Sequence, residues 1–247
     1  MGLGIVIALP KYLSLRSFVL KRKPLWKFRR AGSLRLENSP PVLTVMNFKG
    51  GVGKTTIAAN LAASLALNHG IRVLLVDLDY QGSLSDLLRE NTVYPDDENL
   101  LNDWLTRRTS QLSLEQATTA AKGLENVKLV SAEYALTEAE DNEFLRWLIG
   151  ESSDDVRNRI ARRLSSKKHN YKGEFDIVIM DAPPRLSLAS ANALRASHFV
   201  LIPTKLQPLS VLPIAKMTKY ISEFRDQIKA KFELIGIVCS MTAGLAP

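Results

Sequence analysis

The chain has 247 residues, of which 46% are hydrophobic and 23% charged, and its net charge is +8. Its single cysteine, Cys239, excludes an intrachain disulfide, and the apolar stretch at residues 2–10 is too short to span a bilayer. We find no internal repeat, and the span from residue 41 to the end has the length of one ordinary domain.

Residues 1–40 form a basic extension. They contain nine Lys and Arg residues against one acidic residue, so they account for the whole net charge of +8 and leave the remainder neutral. Apolar and aromatic residues lie between these bases, and such a segment can contact anionic lipid or nucleic-acid phosphates. A disordered leader is the alternative. We expect residues 1–40 to be disordered and residues 41–247 to form the domain.

The most informative segment begins at Val42 and reads VLTVMNFKGGVGKTT. It predicts an apolar strand, a glycine-rich loop and a helix over 55–68. Glycines can take positive φ and lack a Cβ, so the backbone N–H groups of the loop can surround a triphosphate. Lys54 can reach the β- and γ-phosphates, and the Thr55 hydroxyl can bind Mg²⁺ at the start of the helix. The predicted nucleotide-binding residues are Lys49, Gly50, Gly51, Val52, Gly53, Lys54, Thr55 and Thr56.

The next strand, at 72–76, leads to two acidic residues, Asp77 and Asp79, in the sequence DLDYQGS. Its apolar residues do not alternate with polar ones, which is typical of a parallel strand covered on both faces. Ligands bind at the carboxyl ends of such strands. Both aspartates are therefore expected at the nucleotide site.

Further along the chain, the pattern predicts a helix at 98–109, a short strand at 127–131 and an amphipathic helix at 154–168. An apolar strand at 175–180 then leads to Asp181 in the sequence DAPPR. This is the Walker B arrangement, in which the aspartate holds Mg²⁺ through water.

The remaining pattern predicts helices at 189–196 and 209–228 and strands at 198–204 and 234–240. Cys239 lies in the last strand and is expected to pack in the core. Alternating strands and helices predict an α/β fold: a doubly wound, mainly parallel sheet flanked by helices, as in a P-loop NTPase.

Two groups of basic residues on predicted helices are candidates for binding DNA phosphates without reading sequence. They are Arg157, Arg159, Arg162 and Arg163 in the first group, and Lys216 and Lys219 in the second. Ordinary solvated helix faces are the alternative interpretation of each group.

The glycine-rich loop resembles the deviant Walker A pattern, KGGxGKT, of the ParA/MinD group of ATPases. The segment DLDYQGS is similar to the DxDPQGN switch of ParA proteins, with Tyr80 at the usual proline and Ser83 at the usual asparagine. DAPPR is similar to the family's DCPPSL, with Ala182 and Arg185 at its cysteine and serine. The resemblance runs from about residue 41 to near residue 240, and we expect the family's C-terminal portion, which completes the adenine pocket, to be missing.

The resemblance implies a role for each site residue. Lys49 acts in trans across a homodimer that forms on ATP, Lys54 acts in cis, and Asp79 positions the attacking water. Asp77 supports the water shell of the magnesium. The implied catalytic set is Lys49, Lys54 and Asp79, and the implied metal set is Thr55, Asp77 and Asp181.

The resemblance also implies a partition-type ATPase that acts in plasmid or chromosome segregation or in cargo positioning. Its implied cofactors are ATP and Mg²⁺, and its activity is weak and stimulated by a ParB-like DNA-binding partner. Non-specific DNA binding and a cytoplasmic, nucleoid-associated location go with this function, and membrane contact is expected only through residues 1–40. The alternatives are a MinD-like division-site ATPase, whose switch lacks the QG of this chain, and a nucleotide-binding adaptor with little turnover.

Overall fold

The computed structural model describes residues 36, 38–89, 100–106, 118–132, 136–151, 154–205, 211–228 and 230–240. In these residues a seven-stranded sheet is packed between helices. Its strands are β1 (Val42–Val45), β2 (Val73–Asp77), β3 (Thr119–Ala121), β4 (Leu124–Val130), β5 (Ile177–Asp181), β6 (Phe199–Lys205) and β7 (Glu233–Ser240). The α-helices are α1 (Lys54–His69), α2 (Ser83–Leu88), α3 (Leu100–Thr106), α4 (Leu136–Ile149), α5 (Arg159–Leu164), α6 (Tyr171–Glu174), α7 (Leu188–Ala196) and α8 (Val211–Ile228).

The strand order is β3-β4-β2-β5-β1-β6-β7, and among the described strands only the β3–β4 pair is antiparallel. The doubly wound, mainly parallel α/β sheet predicted from the sequence is confirmed. Because β2, β5 and β1 are neighbours, their carboxyl ends meet at one edge of the sheet.

Both faces of the central strands are buried, as their unbroken apolar sequences predict. Along β2, Leu74 and Val76 pack into the core cluster on one face, whereas Val73 and Leu75 pack with the alanines of α1 on the other. Successive side chains of a strand point to opposite faces, so one apolar run supplies two cores. The small alanine side chains of α1 let this helix lie close to the sheet.

Several elements differ from the sequence-based prediction. The short helix α2, the β3 strand of the β3–β4 hairpin and helix α4 were not predicted, and β4 starts three residues earlier than expected. The prediction of one long helix at 154–168 is wrong. That segment forms a 3-10 turn at Val156–Asn158 and then the short helix α5.

The arginines of this segment explain the error. Three of them are buried in ion pairs with acidic residues and do not form a helix face open to solvent. They are Arg157, Arg159 and Arg163, and their respective partners are Asp155, Glu143 and Asp103, at N–O distances of 2.7, 2.6 and 3.0 Å. The prediction that these three arginines present a DNA-binding surface is therefore wrong. Arg162 differs, because its side chain is 39% exposed.

The prediction that Cys239 packs in the core is also wrong, because its side chain is exposed. The reason lies in the position of its strand. β7 pairs with β6 on one side and stands at the end of the strand order among the described residues, so most of its residues are exposed. An apolar sequence does not distinguish such a strand from a central one.

The described fold starts slightly before the predicted boundary at residue 41. Leu36 packs against the first core cluster, and Ser39 is buried. The predicted disorder of the basic extension concerns residues that lie outside the described ones, apart from these last positions. Within the described ranges, no helix combines the length and apolar character that a bilayer crossing requires.

The buried arginines lead to a stability prediction. Replacing Arg159 with Ala leaves the buried Glu143 carboxylate and the Leu105 carbonyl without the guanidinium that binds both. We expect unfolding in urea to show a loss of roughly 3 kcal/mol. Arg162→Ala is the matched control, because Arg159 and Arg162 both contact Asp154 but the Arg162 side chain is partly exposed. The free energy of unfolding of this control should fall by about 1 kcal/mol or less. Equal losses in the two variants would contradict the stabilising role of the buried Arg159 ion pair.

Candidate nucleotide site

The backbone of the glycine-rich loop, between β1 and α1, is shaped by two glycines. Gly51 has φ of +67° and Gly53, the residue before α1, has φ of +86°. Side chains rarely adopt this left-handed conformation, so glycine is required at both positions. Gly50 is not in the left-handed region, and a Cβ built on it would meet no atom within 4 Å. The loop thus uses the positive φ that glycine allows at Gly51 and Gly53 and not at Gly50.

Two polar side chains hold the loop to the neighbouring strands. The Asn47 side chain donates to the Pro203 carbonyl of β6 at 2.7 Å and accepts from the Lys49 N–H at 2.9 Å. The Ser240 hydroxyl, at the end of β7, lies 2.6 Å from the Val52 carbonyl, to which it donates. Sequence reasoning missed both contacts, because they join residues more than 150 positions apart.

Lysines approach the loop from different directions. Lys54 is buried at the first position of α1. Burial lowers the pKa of its ammonium, and the carboxylates of Asp181 and Asp79 oppose this effect. Lys49 is half-buried at the other end of the loop. Lys205, which the sequence analysis did not select, places its Nζ 4.0 Å from where a Cβ on Gly51 would lie. Several positively charged amines next to one loop create a positive potential there, which favours an anionic ligand.

Asp77 and Asp181 lie side by side at the ends of β2 and β5, in register with each other. Asp181 accepts a hydrogen bond from the Thr55 hydroxyl through Oδ2 at 2.6 Å. Its other oxygen, Oδ1, is buried and has no hydrogen-bond partner among the described residues. Burial raises the pKa of Asp181 to about 7. The nearby Asp77 carboxylate adds to the rise, whereas the Thr55 hydrogen bond and Lys54 oppose it.

Asp77 is fully buried, and both of its oxygens are used within the protein. One accepts from the Asp79 N–H at 3.1 Å, and the other accepts from the N–H and the hydroxyl of Ser85 at 2.9 and 2.8 Å. Burial raises the pKa of Asp77 to about 6, against the effect of the Ser85 bonds. These contacts give Asp77 a structural task, because they fix the turn between β2 and α2. A contact with the water shell of magnesium stays a prediction.

Asp79 is half-buried in that turn. Its carbonyl accepts from the Gly82 N–H at 2.8 Å, and its carboxylate accepts from the Gln81 N–H at 3.2 Å. Gly82 has φ of +63°. The turn is therefore closed by the backbone, and it presents Asp79 beside the same edge of the sheet as Asp181.

The residues present at this edge suit a magnesium ion. Mg²⁺ prefers oxygen ligands and retains several waters. The Thr55 hydroxyl and the buried Asp181 carboxylate are such ligands, and the unpaired Oδ1 of Asp181 offers a further acceptor. The structure thus brings together Lys54, Thr55, Asp77, Asp79 and Asp181 as the sequence predicts. The role of each residue stays a prediction.

Comparison with known proteins identifies the family. The family profile described as an AAA domain matches residues 41–234. The sporulation initiation inhibitor protein Soj of Bacillus subtilis is 32% identical over 200 residues, which cover 81% of this chain and 72% of Soj. The chromosome partitioning protein ParA of Myxococcus xanthus is 34% identical over 206 residues, which cover 81% of this chain and 64% of that protein. The chain belongs to the ParA family of P-loop ATPases.

A solved structure agrees with this membership. Cobyrinic acid a,c-diamide synthase from Mycobacterium smegmatis, crystallised with bound ADP and magnesium, has a TM-score of 0.65 and 30% identity to this ParA-family chain. The match covers 81% of this chain and 74% of that one. The P-loop fold is therefore shared over most of the described residues.

The raised pKa values lead to a prediction on pH. A carboxylate with a raised pKa binds its proton more tightly in the native state, so its contribution to stability is present at pH 4 and is lost as pH rises through about 7 for Asp181. The change is roughly 1.4 kcal/mol for each pH unit over which only the native state holds the proton. The lowered pKa of His198 gives the opposite trend.

We therefore use the difference between the wild type and Asp181→Asn. Without nucleotide and magnesium, the wild type should lose stability relative to this variant between pH 5 and pH 7.5, measured by urea unfolding at each pH. A constant difference, or a relative gain, would show that the Asp181 pKa is not raised.

Proposed function

We propose that this ParA-family chain binds Mg-ATP, dimerises on it and hydrolyses it slowly as a partition-type ATPase. The observation that carries the proposal is the buried Asp181 carboxylate, whose Oδ2 accepts from the Thr55 hydroxyl at the start of α1 and whose Oδ1 has no hydrogen-bond partner among the described residues. A buried carboxylate is stabilised by a cation, and the neighbouring P-loop would bind the nucleotide phosphates, whose charge Mg²⁺ would offset.

Each residue contributes to nucleotide binding in its own way. The N–H groups at Gly51 and Gly53 surround the phosphates, and the dipole of α1 adds positive potential there. Lys54 binds the β- and γ-phosphates in cis. Thr55 and Asp181 hold Mg²⁺, the aspartate through water. When bound, the magnesium neutralises charge on the phosphates.

Hydrolysis and dimerisation depend on two further residues. Asp79 orients the attacking water, because its turn is fixed and its carboxylate lies at the strand edge. Lys49 reaches the phosphates of the partner subunit. Its backbone is held by Asn47, so the side chain starts from a defined position at the entrance of the loop.

The relatives support partition as the biological role. The Myxococcus xanthus protein is named for chromosome partitioning and the Bacillus subtilis protein for inhibition of sporulation initiation, and this chain spans 64% of the first and 72% of the second. On this basis we assign a cytoplasmic, nucleoid-associated location and a ParB-like DNA-binding activator. The cargo is a chromosome, a plasmid or another large assembly.

Non-specific DNA binding goes with this role. Lys216 and Lys219 are exposed on α8 and lie three positions apart, so they share one side of the helix. Met217 and Ile221 are buried against the core. With Arg162, these lysines remain the candidates for phosphate contacts, since the other three arginines are buried. Contact with membranes is proposed only for residues 1–40.

The first test separates the two lysines of the loop. Lys54→Ala should weaken ATP binding by roughly 10- to 100-fold, because it removes a charged hydrogen bond in cis. Lys49→Ala should keep ATP affinity but lose ATP-dependent dimerisation. Calorimetry measures the first effect, and sedimentation velocity with ATP measures the second. Equal ATP affinity in the wild type and Lys54→Ala would contradict the proposal that the loop binds ATP through Lys54.

The second test separates hydrolysis from binding alone. Asp79→Ala should reduce phosphate release by roughly 100-fold or more while ATP affinity and the ATP-bound dimer persist. Asp86→Ala is the matched control, because it removes the same charge from an exposed position on α2. Undiminished phosphate release by Asp79→Ala would refute the role of Asp79. A wild type that binds ATP without turnover would favour the adaptor.

A further inference from the structure

Two residues outside the phosphate loop join the turn after β2 to the loop after β5. Tyr80 directly follows Asp79, and Arg185 is the fourth residue after Asp181. The centre of the Arg185 guanidinium lies 4.8 Å from the centroid of the Tyr80 ring. This is the geometry of a cation–π contact, which is favourable even at partly exposed sites.

A third residue fixes the arginine from the other side. Arg185 donates to the Glu140 carboxylate of α4 at 3.1 Å. Glu140 is 2% exposed and also accepts from the Ala189 N–H in the first turn of α7. Glu140 is therefore held by its own contacts, and it gives the guanidinium a fixed anchor. We call Tyr80, Arg185 and Glu140 the tyrosine–arginine bridge.

The bridge acts on the turn that contains Asp79. Within the turn, the Asp79 carboxylate accepts from Gln81, which is exposed. Tyr80 is the next residue after Asp79, so holding its side chain limits how far the backbone that joins the two residues can rotate. Tyr80 and Arg185 are two of the positions at which this chain differs from the motifs DxDPQGN and DCPPSL, and these two side chains contact each other.

We propose that Arg185 is a positioning residue for Asp79, which acts by stacking on Tyr80 while Glu140 anchors its guanidinium. This rests on the proposed role of Asp79 in ATP hydrolysis. Loss of the stack lets the turn sample orientations in which Asp79 no longer faces the water. The expected consequence is a lower rate of phosphate release with unchanged affinity for ATP.

The experiment is a double-mutant cycle on the full chain. Arg185→Ala and Tyr80→Ala should each lower kcat by about three- to tenfold, with the Kd for Mg-ATP unchanged within about twofold. The double variant should be no slower than the single ones, because each single change already removes the stack. Tyr80→Phe keeps a ring face and should keep the wild-type kcat. Arg185→Lys keeps the charge without the planar group and should lie between the wild type and Arg185→Ala.

Two kinetic results would overturn the proposal: additive losses in the double variant, or an unchanged kcat in Tyr80→Ala. A purely structural effect would also change ATP affinity, or would appear equally in Tyr80→Phe. Amide hydrogen exchange at residues 79–82 gives a readout that does not depend on hydrolysis. Exchange there should accelerate in Arg185→Ala and not in Tyr80→Phe.

Hydrogen exchange shows whether the bridge holds the turn, and it does so even if the proposed ATP hydrolysis is wrong. If the wild type binds ATP and releases no phosphate, the proposed hydrolysis fails, and so does the role of Arg185 in positioning a catalytic residue. The exchange measurement then still decides whether the bridge holds the turn. If the wild type is active and exchange is unchanged in Arg185→Ala, the bridge does not hold the turn and the proposal is wrong.

Discussion

The arrangement depends on two carboxylates buried next to each other at the ends of β2 and β5. Asp77 and Asp181 are in register, and burying like charges together is unfavourable unless donors or a cation compensate. Asp77 is compensated within the protein by Ser85 and the Asp79 N–H. Asp181 has one hydrogen bond, from Thr55, and keeps one oxygen without a partner among the described residues. This difference divides the pair into a structural member and a member suited to bind a cation.

The surrounding loops are held in place by contacts from distant parts of the chain. Asn47 and Ser240 attach the phosphate loop to β6 and β7, and Ser85 attaches the turn after β2. Tyr80 and Arg185 join that turn to the loop after β5. A preorganised site of this kind reduces the rearrangement needed when phosphates and magnesium bind. The sheet fixes the positions of the two carboxylates, and the side chains named above fix the positions of the loops around them.

The sequence predicts the centre of the fold and the residues that meet at the strand ends, because both depend on local patterns. The apolar runs of β1, β2 and β5 specify buried parallel strands, and the glycine-lysine loop specifies its own conformation. The arginines of α5 and the exposure of Cys239 could not be predicted in this way. Whether an arginine faces solvent depends on acidic partners supplied by other helices, and exposure of β7 depends on its place in the strand order. The tyrosine–arginine bridge likewise joins residues about 100 positions apart.

The assignment of Asp181 to magnesium can be tested by how strongly ATP affinity depends on magnesium. Calorimetric titrations of ATP, with Mg²⁺ and with a chelator, should be compared between the wild type and Asp181→Asn. We expect Mg²⁺ to tighten ATP binding to the wild type by about tenfold or more and most of this gain to disappear in Asp181→Asn. The same gain from magnesium in both proteins would contradict the assignment of Asp181 and its free oxygen to the cation.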